Sequence, residues 1–316
     1  MASVFNRGLG NDFLKALEEE ASKPGWWSDV LADKDLLIAP RGSYVSVYWK
    51  GQAIFTVKPK SSGLSVTTHK KYLIDVSLSG QVALANGAFD IGKFKDEAFV
   101  GTYEGKETLK KLKRAAGRYS GPEKSGCHHV AIGCDRLVDV EIALRSQAET
   151  EGNNPEEEAE LASDRIDLAT VEPHYGDARL VFWEAKDFSN KELRSRDEAV
   201  APVTGQIERY IDHLAKKKLE IEASYSRVAS NLVALAKMGA RCPVNDLIRR
   251  VAAGEARLRL GERPKVGLII FGFDNAQKKD GVWKDHLVKL ESAVKKLNDG
   301  DERVIKVGDA KRLTLP

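Results

Sequence analysis

The chain has 316 residues, of which 42% are hydrophobic and 31% charged, and its net charge at pH 7 is +3; this composition indicates a folded soluble protein rather than a disordered or fibrous one. The longest apolar run, residues 266–273, is far shorter than the about 20 residues that span a bilayer, and the N-terminus lacks a basic-then-apolar leader, so we expect neither a membrane helix nor a secretory signal. Three cysteines are too few for a disulfide framework and favour a reducing, cytoplasmic location.

Residues 1–120 are predicted to form an accessory domain rich in β-strands. An amphipathic helix is expected over residues 6–21. A hairpin follows, in which the strands Tyr44–Trp49 and Ala53–Val57 flank the turn Lys50-Gly51-Gln52. The other expectations in this half are a strand over 64–68, an unassigned glycine-rich stretch over 80–105, a basic helix over 106–116 and a connector over 117–126.

The N-terminal hairpin carries aromatic and basic side chains, among them Tyr48, Trp49 and Lys50. Aromatic rings interleaved with cations on a sheet can stack bases and hold phosphates. Strand alternation also buries one face of such a hairpin, which makes the same residues a small core with a solvated rim. The sequence favours the second interpretation.

Residues 121–316 are predicted to form a second domain in which strands and helices alternate. Strands are expected over 137–144, 165–172 and 178–186, and the last two form an antiparallel hairpin across the five-residue turn Pro173–Asp177. This order predicts a mixed α/β fold. The remaining expectations are a helix capped by Thr204, a helix ending at Met238, a helix over 245–253, a strand over 265–273, a helix over 286–298 and a strand over 303–307.

The hairpin strands carry charged residues in an apolar setting. Glu184 and Lys186 alternate on one strand and share a face, and Asp167 stands among apolar residues on the preceding strand. A carboxylate is costly to bury unless it is paired or binds a cation. Two carboxylates suit Mg²⁺, which activates water, and a lysine can position or deprotonate that water or offset charge on a phosphate. The residues therefore indicate a catalytic set, although edge-strand charges with Lys186 as their surface partner are the alternative.

Asp167, the sequence Glu184-Ala185-Lys186, and Gln206 with Tyr210 together resemble the PD-(D/E)XK nuclease superfamily. Its hallmark is an aspartate on one strand, a (D/E)-x-K on the next and often a Gln-x-x-x-Tyr on the following helix. The resemblance covers roughly residues 107–273 and implies a restriction-endonuclease-like core, a central mixed sheet flanked by helices. Residues 1–105 have no counterpart in it.

The resemblance also implies a role for each matching residue. Asp167 and Glu184 would bind Mg²⁺ or Mn²⁺ together with the main-chain carbonyl of Ala185. Lys186 would act on the attacking water. Gln206 would fix the lysine or a phosphate, and Tyr210, one turn further along the helix, would support Gln206.

The chain departs from the family pattern at two points. Ile166 stands where many members have a proline before the aspartate. The first acidic residue of the motif is ambiguous: we prefer Glu141, 26 residues before Asp167, and Asp139 is its rival because both share a strand face.

Two further sets of residues bear on binding. Lys191, Arg194 and Arg196 follow the Glu184 strand closely, where a substrate phosphate is expected to arrive. Cys127, His128, His129 and Cys134 supply zinc-ligand side chains, but their spacing fits no common zinc template. We expect the first set to contact nucleic acid and the second to be ordinary connector residues.

These features together predict a metal-dependent nuclease that acts on nucleic acid, with DNA favoured over RNA, in defence against foreign DNA or in DNA processing. A homodimer or a partner protein of a defence system is a further expectation. The alternative is a non-catalytic subunit that binds nucleic acid or protein within a larger complex. A third hypothesis, a regulator built around the N-terminal module, predicts tight binding without cleavage.

Overall fold

The chain is described from a computed structural model, which covers residues 5–61, 63–73, 81–90, 101–144, 165–195, 200–240, 244–313 and 315. Over these residues it is a mixed α/β protein with two β-sheets. In these residues no helix combines the length and the apolar character needed to cross a membrane.

The first sheet is an antiparallel meander of six strands in chain order, and it packs against the N-terminal helices and the basic helix that follows it. Its buried side chains include Trp27, Phe55 and Tyr72, so many N-terminal aromatics form the core of this half. Its elements are α1 (Asn11–Ala21), α2 (Trp26–Ala32), β1 (Leu37–Pro40), β2 (Val45–Trp49), β3 (Gln52–Lys60), β4 (Gly63–His69), β5 (Gln81–Ala85), β6 (Ala88–Phe89) and α3 (Lys106–Gly117).

The β2–β3 hairpin confirms its sequence prediction. Lys50 and Gly51 both have positive φ, 49° and 72°, as a two-residue type I′ turn requires. Two other expectations in this half were wrong. The first helix begins at Asn11, five residues later than expected, and the expected connector 117–126 includes the start of a helix, Pro122–Ile132.

The second sheet is mixed, with the strand order β12-β11-β9-β8-β7 and the short β10 beside β9. Strand β8 is antiparallel to both of its neighbours, β7 and β9, whereas β9, β11 and β12 run parallel to one another. Its strands are β7 (Leu137–Ala143), β8 (Arg165–His174), β9 (Asp177–Asp187), β10 (Leu258–Arg259), β11 (Lys265–Phe271) and β12 (Val304–Val307).

Helices cover both faces of this sheet. One face packs against four helices, and the other against α4 and the C-terminal 3₁₀ turn Ala310–Arg312. At Gly126 of α4 a Cβ atom would lie 2.1 Å from the Phe271 ring, so only glycine permits this close approach to β11. The helices are α4 (Pro122–Ile132), α5 (Pro202–Lys216), α6 (Lys218–Lys237), α7 (Asp246–Ala252), α8 (Asn275–Lys279) and α9 (Gly281–Leu297).

Three expected boundaries in this half were wrong. Helix α5 begins at Pro202, whose missing N–H costs nothing at a helix start, and Thr204 lies inside the helix with its hydroxyl donating to the Ala201 carbonyl. Helix α9 begins at Gly281 rather than residue 286, because Asp280 accepts a hydrogen bond from the Trp283 N–H. The β8–β9 turn has two residues rather than five, since both strands extend further than expected.

The two sheets are joined by a buried ionic contact. The Arg41 guanidinium donates to the Asp139 carboxylate (2.5 Å) and to the Val140 carbonyl (2.7 Å). Asp139 also accepts a hydrogen bond from the Tyr225 hydroxyl at 2.9 Å, and Arg7 lies 3.5 Å from it. The N-terminal segment therefore anchors both to β7 and to the middle of α6.

Candidate active site

The strands β8 and β9 separate at Asp167. Their ladder runs from the hairpin turn as far as Leu168 and Trp183; beyond this point β9 continues beside β11, while Ile166 pairs with β7. In the fork between the strands, the Asp167 carboxylate accepts a hydrogen bond of 2.7 Å from the Ala185 N–H. Where β8 and β9 separate, the Asp167 side chain thus supplies the acceptor that a backbone carbonyl would otherwise give to the Ala185 N–H.

Glu184 and Lys186 follow the fork on β9, and both are buried. The Lys186 ammonium lies 2.7 Å from Glu184 Oε1 and 2.8 Å from the Glu192 carboxylate. The second oxygen of Glu184, Oε2, is buried and has no hydrogen-bond partner among the described residues. Because a buried carboxylate oxygen without a partner is costly, this atom is suited to receive a ligand.

The charges of these residues do not balance. Burial raises the pKa of Asp167 well above its usual range, and the neighbouring charges of Glu184 and Glu141 raise it further. Burial also raises the pKa of Glu184 to about 7, against the opposing charge of Lys186. Burial disfavours the ammonium of Lys186, but Glu184 and Glu192 outweigh this effect and hold its pKa above the usual value. An excess of buried carboxylate favours binding of a cation.

A hard divalent cation fits Asp167 and Glu184. Both supply oxygen ligands, and Glu184 Oε2 is an acceptor without a donor. In the described part of the chain no group of three or more His, Cys, Asp or Glu side chains is arranged to hold a metal ion. Mg²⁺ characteristically uses one or two carboxylates and completes its shell with water and substrate phosphates, so the pair is sufficient for this kind of site.

The structure separates the two candidates for the first acidic residue. Glu141 borders the same pocket as Asp167 and forms an ion pair of 3.0 Å with Arg165. Its backbone has a φ of 51°, a left-handed conformation that breaks strand alternation. Asp139, by contrast, binds Arg41 and Tyr225 in the contact between the sheets. Of the two, only Glu141 adjoins the site.

Gln206 and Tyr210 form a chain on helix α5. The Gln206 amide donates to the Tyr210 hydroxyl (2.6 Å), which donates to the carbonyl of Arg165 (2.8 Å), two residues before Asp167. Within the part of the chain that the structure describes, the buried Gln206 Oε1 has no hydrogen-bond partner. The pair therefore supports the start of β8, whereas the resemblance placed Gln206 on the lysine or a phosphate.

Sequence reasoning missed two carboxylates beside Lys186. Glu123, in the first turn of α4, accepts hydrogen bonds from the Asn190 amide (2.7 Å) and the Asp187 N–H (3.3 Å). Glu192 binds Lys186 directly. A proline–glutamate pair at Pro122 is a helix-start signal that could have revealed α4, but no sequence pattern indicates the contact of Glu192.

The three cations expected to contact nucleic acid differ in their surroundings. Arg194 donates to the carbonyls of Phe188 (2.7 Å) and Asn190 (3.1 Å), and its guanidinium lies over the Phe188 ring. Lys191 is exposed. Arg196 lies outside the described residues. Of the two cations that the structure describes, Lys191 is the one exposed to solvent.

The cysteine and histidine side chains near residue 127 lie on helix α4 rather than in a connector. Cys127 borders the pocket shared by Glu141 and Asp167, and burial raises the pKa of its thiol. His128 faces the N-terminal half, where its Nε2 lies 2.9 Å from the Asp35 carbonyl. Helix α4 therefore connects the site to the first sheet.

No family model, no curated protein and no solved structure matches this chain.

Proposed function

We propose that the chain is a metal-dependent nuclease that hydrolyses phosphodiester bonds of nucleic acid, with DNA favoured over RNA and a core of the restriction-endonuclease type. The observation that carries the proposal is the fork between β8 and β9, where the half-buried Asp167 lies close enough to the buried pair Glu184 and Lys186 for their charges to shift its pKa, and where carboxylates outnumber the ammonium group. The preference for DNA and a setting in defence or DNA processing follow from the family resemblance alone.

The proposed ligands of Mg²⁺ or Mn²⁺ are the carboxylates of Asp167 and Glu184 with the carbonyl of Ala185. When bound, the cation supplies Lewis-acid chemistry and offsets charge on the scissile phosphate. Asp167 is held by the Ala185 N–H, and Glu184 is held by Lys186. These contacts fix the direction of each carboxylate before any ligand arrives.

Lys186 is suited to stabilise charge rather than to remove a proton. Two carboxylates surround its ammonium and hold its pKa above the usual value, so it stays protonated at neutral pH. A protonated lysine donates hydrogen bonds to the phosphoryl oxygens as negative charge develops there. Hydrolysis adds the water oxygen to phosphorus, breaks one P–O ester bond and transfers a water proton to the leaving oxygen.

Cleavage assays test the proposal directly. Supercoiled, linear and single-stranded DNA and RNA are incubated with Mg²⁺ or Mn²⁺ and wild type, Lys186→Ala or Asp167→Ala. We expect each variant to cut at least about 100-fold more slowly, as when a group that stabilises the transition state is removed. Lys295→Ala is the matched control, because Lys295 forms an exposed ion pair with Glu302 away from the fork.

Circular dichroism confirms that each variant is folded, and EDTA is expected to abolish cleavage by wild type. Equal rates for wild type and both folded variants would place any cleavage elsewhere in the chain. No cleavage of any substrate by wild type, together with binding of nucleic acid, would favour the non-catalytic binding subunit instead.

A further inference from the structure

Lys186 is held between two carboxylates that differ sharply in exposure. The side chains of Lys186 and Glu184 are 8% and 3% exposed, whereas that of Glu192 is 48% exposed. Both carboxylates lie within 2.8 Å of the same ammonium nitrogen. The two contacts are therefore similar in length but unequal in how easily they can be broken.

A phosphate that accepts two hydrogen bonds from Lys186 requires one of these positions, because the two carboxylates already use two of the three ammonium hydrogens. An ammonium group has three hydrogens to donate, and carboxylate and phosphate oxygens accept from it in the same way. Glu184 is buried within the fold, so its carboxylate cannot move out into solvent. Glu192 already reaches solvent, so its carboxylate can leave at little cost in hydration.

Hydrogen bonds hold the backbone around Glu192 in place, whereas its carboxylate contacts the Lys186 ammonium through a rotatable side chain. Glu192 lies in the 3₁₀ turn Lys191–Leu193, and its N–H donates to the Asn190 side chain at 2.9 Å. The Asn190 amide in turn donates to Glu123 of α4. Rotation about side-chain bonds can thus release the carboxylate without moving the turn.

We infer that Glu192 occupies the position on Lys186 that a phosphate oxygen of the substrate takes, and that binding of the substrate displaces it. This inference rests on the function proposed above. It makes Glu192 a positioning residue, which holds Lys186 in place and raises the selectivity for a phosphate able to displace a carboxylate. It also predicts that the residue opposes anion binding.

The experiment measures anion binding without cleavage. Pyrophosphate is titrated into the full-length protein by calorimetry in EDTA, and a fluorescein-labelled DNA duplex is titrated by anisotropy in the same buffer. The variants are Glu192→Gln, Lys186→Ala/Glu192→Gln and the control Glu302→Gln, which removes the same charge from an exposed lysine pair elsewhere.

We expect Glu192→Gln to bind both probes about tenfold more tightly, because one negative charge next to the anion is removed. The gain is expected to shrink as salt rises, to vanish in the double variant and to be absent in Glu302→Gln. Unchanged or weaker pyrophosphate binding by Glu192→Gln, or a gain that persists without Lys186, would overturn the inference.

The outcomes keep this inference apart from the nuclease proposal. Tighter pyrophosphate binding by Glu192→Gln with no cleavage of any nucleic acid by wild type would support the anion position and reject the nuclease. Cleavage by wild type with unchanged anion binding by Glu192→Gln would support the nuclease and reject the anion position. Loss of metal-dependent cleavage in folded Glu192→Gln, with no gain in binding, would make Glu192 part of the metal site and also overturn the inference.

Discussion

At Asp167 burial and neighbouring charges both oppose the ionised form of the side chain. Its carboxylate receives one backbone hydrogen bond, while burial and two neighbouring carboxylates disfavour its charge. A raised pKa means that the folded chain holds this proton more tightly than the unfolded chain does. The stability of the fold therefore decreases as pH rises above the unfolded value of about 3.9.

Asp167→Asn is accordingly expected to stabilise the protein when no metal is present. The amide oxygen can still accept from Ala185, and the buried charge is gone. At pH 8 in EDTA we expect a gain of about 1 kcal/mol, or a rise in Tm of about 2 °C, measured by thermal unfolding. The control Asp212→Asn changes an exposed carboxylate of α5. A lower Tm for Asp167→Asn alone would show that the charge is satisfied.

At the scale of residues, sequence reasoning could identify Asp167, Glu184 and Lys186 because strand alternation places such charges on a predictable face. It could not identify Glu192, whose contact with Lys186 depends on how a loop folds back. It also could not decide whether Glu141 or Asp139 is the first acidic residue of the motif, since a positive φ at Glu141 determines which side chain adjoins the site.

Helix α4 links the site to the first sheet, and His128 forms part of this link. Its Nε2 lies 2.9 Å from the Asp35 carbonyl, and its ring meets Trp49 edge to face. Its Nδ1 is buried, and none of the residues that the structure describes forms a hydrogen bond with it. Burial lowers the pKa of His128 to about 4. A proton on Nδ1 would create a buried charge whose new donor lacks an acceptor.

The protein is therefore expected to lose stability as pH falls below about 6.5, where His128 of the unfolded chain gains its proton. Between pH 7 and pH 5 the loss due to His128 is about 2 kcal/mol. Urea unfolding at both pH values measures it, and His128→Gln is expected to lack this part of the dependence. His213→Gln, in the partly exposed last turn of α5, is the control. Equal pH dependence in wild type and His128→Gln would contradict the assignment.

At the scale of elements, the sequence predicted hairpins and apolar strands well and missed α4. The Lys50-Gly51 turn has a local signature, because its two residues adopt positive φ. Helix α4 has no clear apolar stripe, and glycine and histidine in its middle obscure the helical period. What holds α4 in place is tertiary contact with β11 at Gly126, which no local pattern reveals.

Hydrogen bonds and apolar contacts join the first third of the chain to the last third. The N–H groups of Phe5, Arg7 and Leu9 donate to side chains of α6. Leu235 of α6 and the adjoining Ala240 pack in the core of the first sheet. The boundary near residue 120 expected from sequence therefore divides two sheets whose cores share a helix.

A fragment of residues 121–316 is consequently expected to be much less stable than the full chain. It would leave the buried Asp139 without Arg41 and Arg7, a loss of about 3 kcal/mol or more. Differential scanning calorimetry is expected to show one transition for the full chain and a weak or missing transition for the fragment. A fragment with the same Tm as the full chain would show that the second half folds independently.

The hydrogen bonds between residues 5–9 and helix α6 also limit when residues 5–9 can dock during synthesis. Their hydrogen-bond partners lie 215 to 222 residues further along the chain. At about 5–20 residues per second, the ribosome needs roughly 10–45 s to make that stretch. Residues 5–9 must therefore wait, solvated or held by a chaperone, until residues 220–231 of α6 have been made, and by then β1 to β9 have already emerged. These hydrogen bonds can form only when translation has passed the fork between β8 and β9.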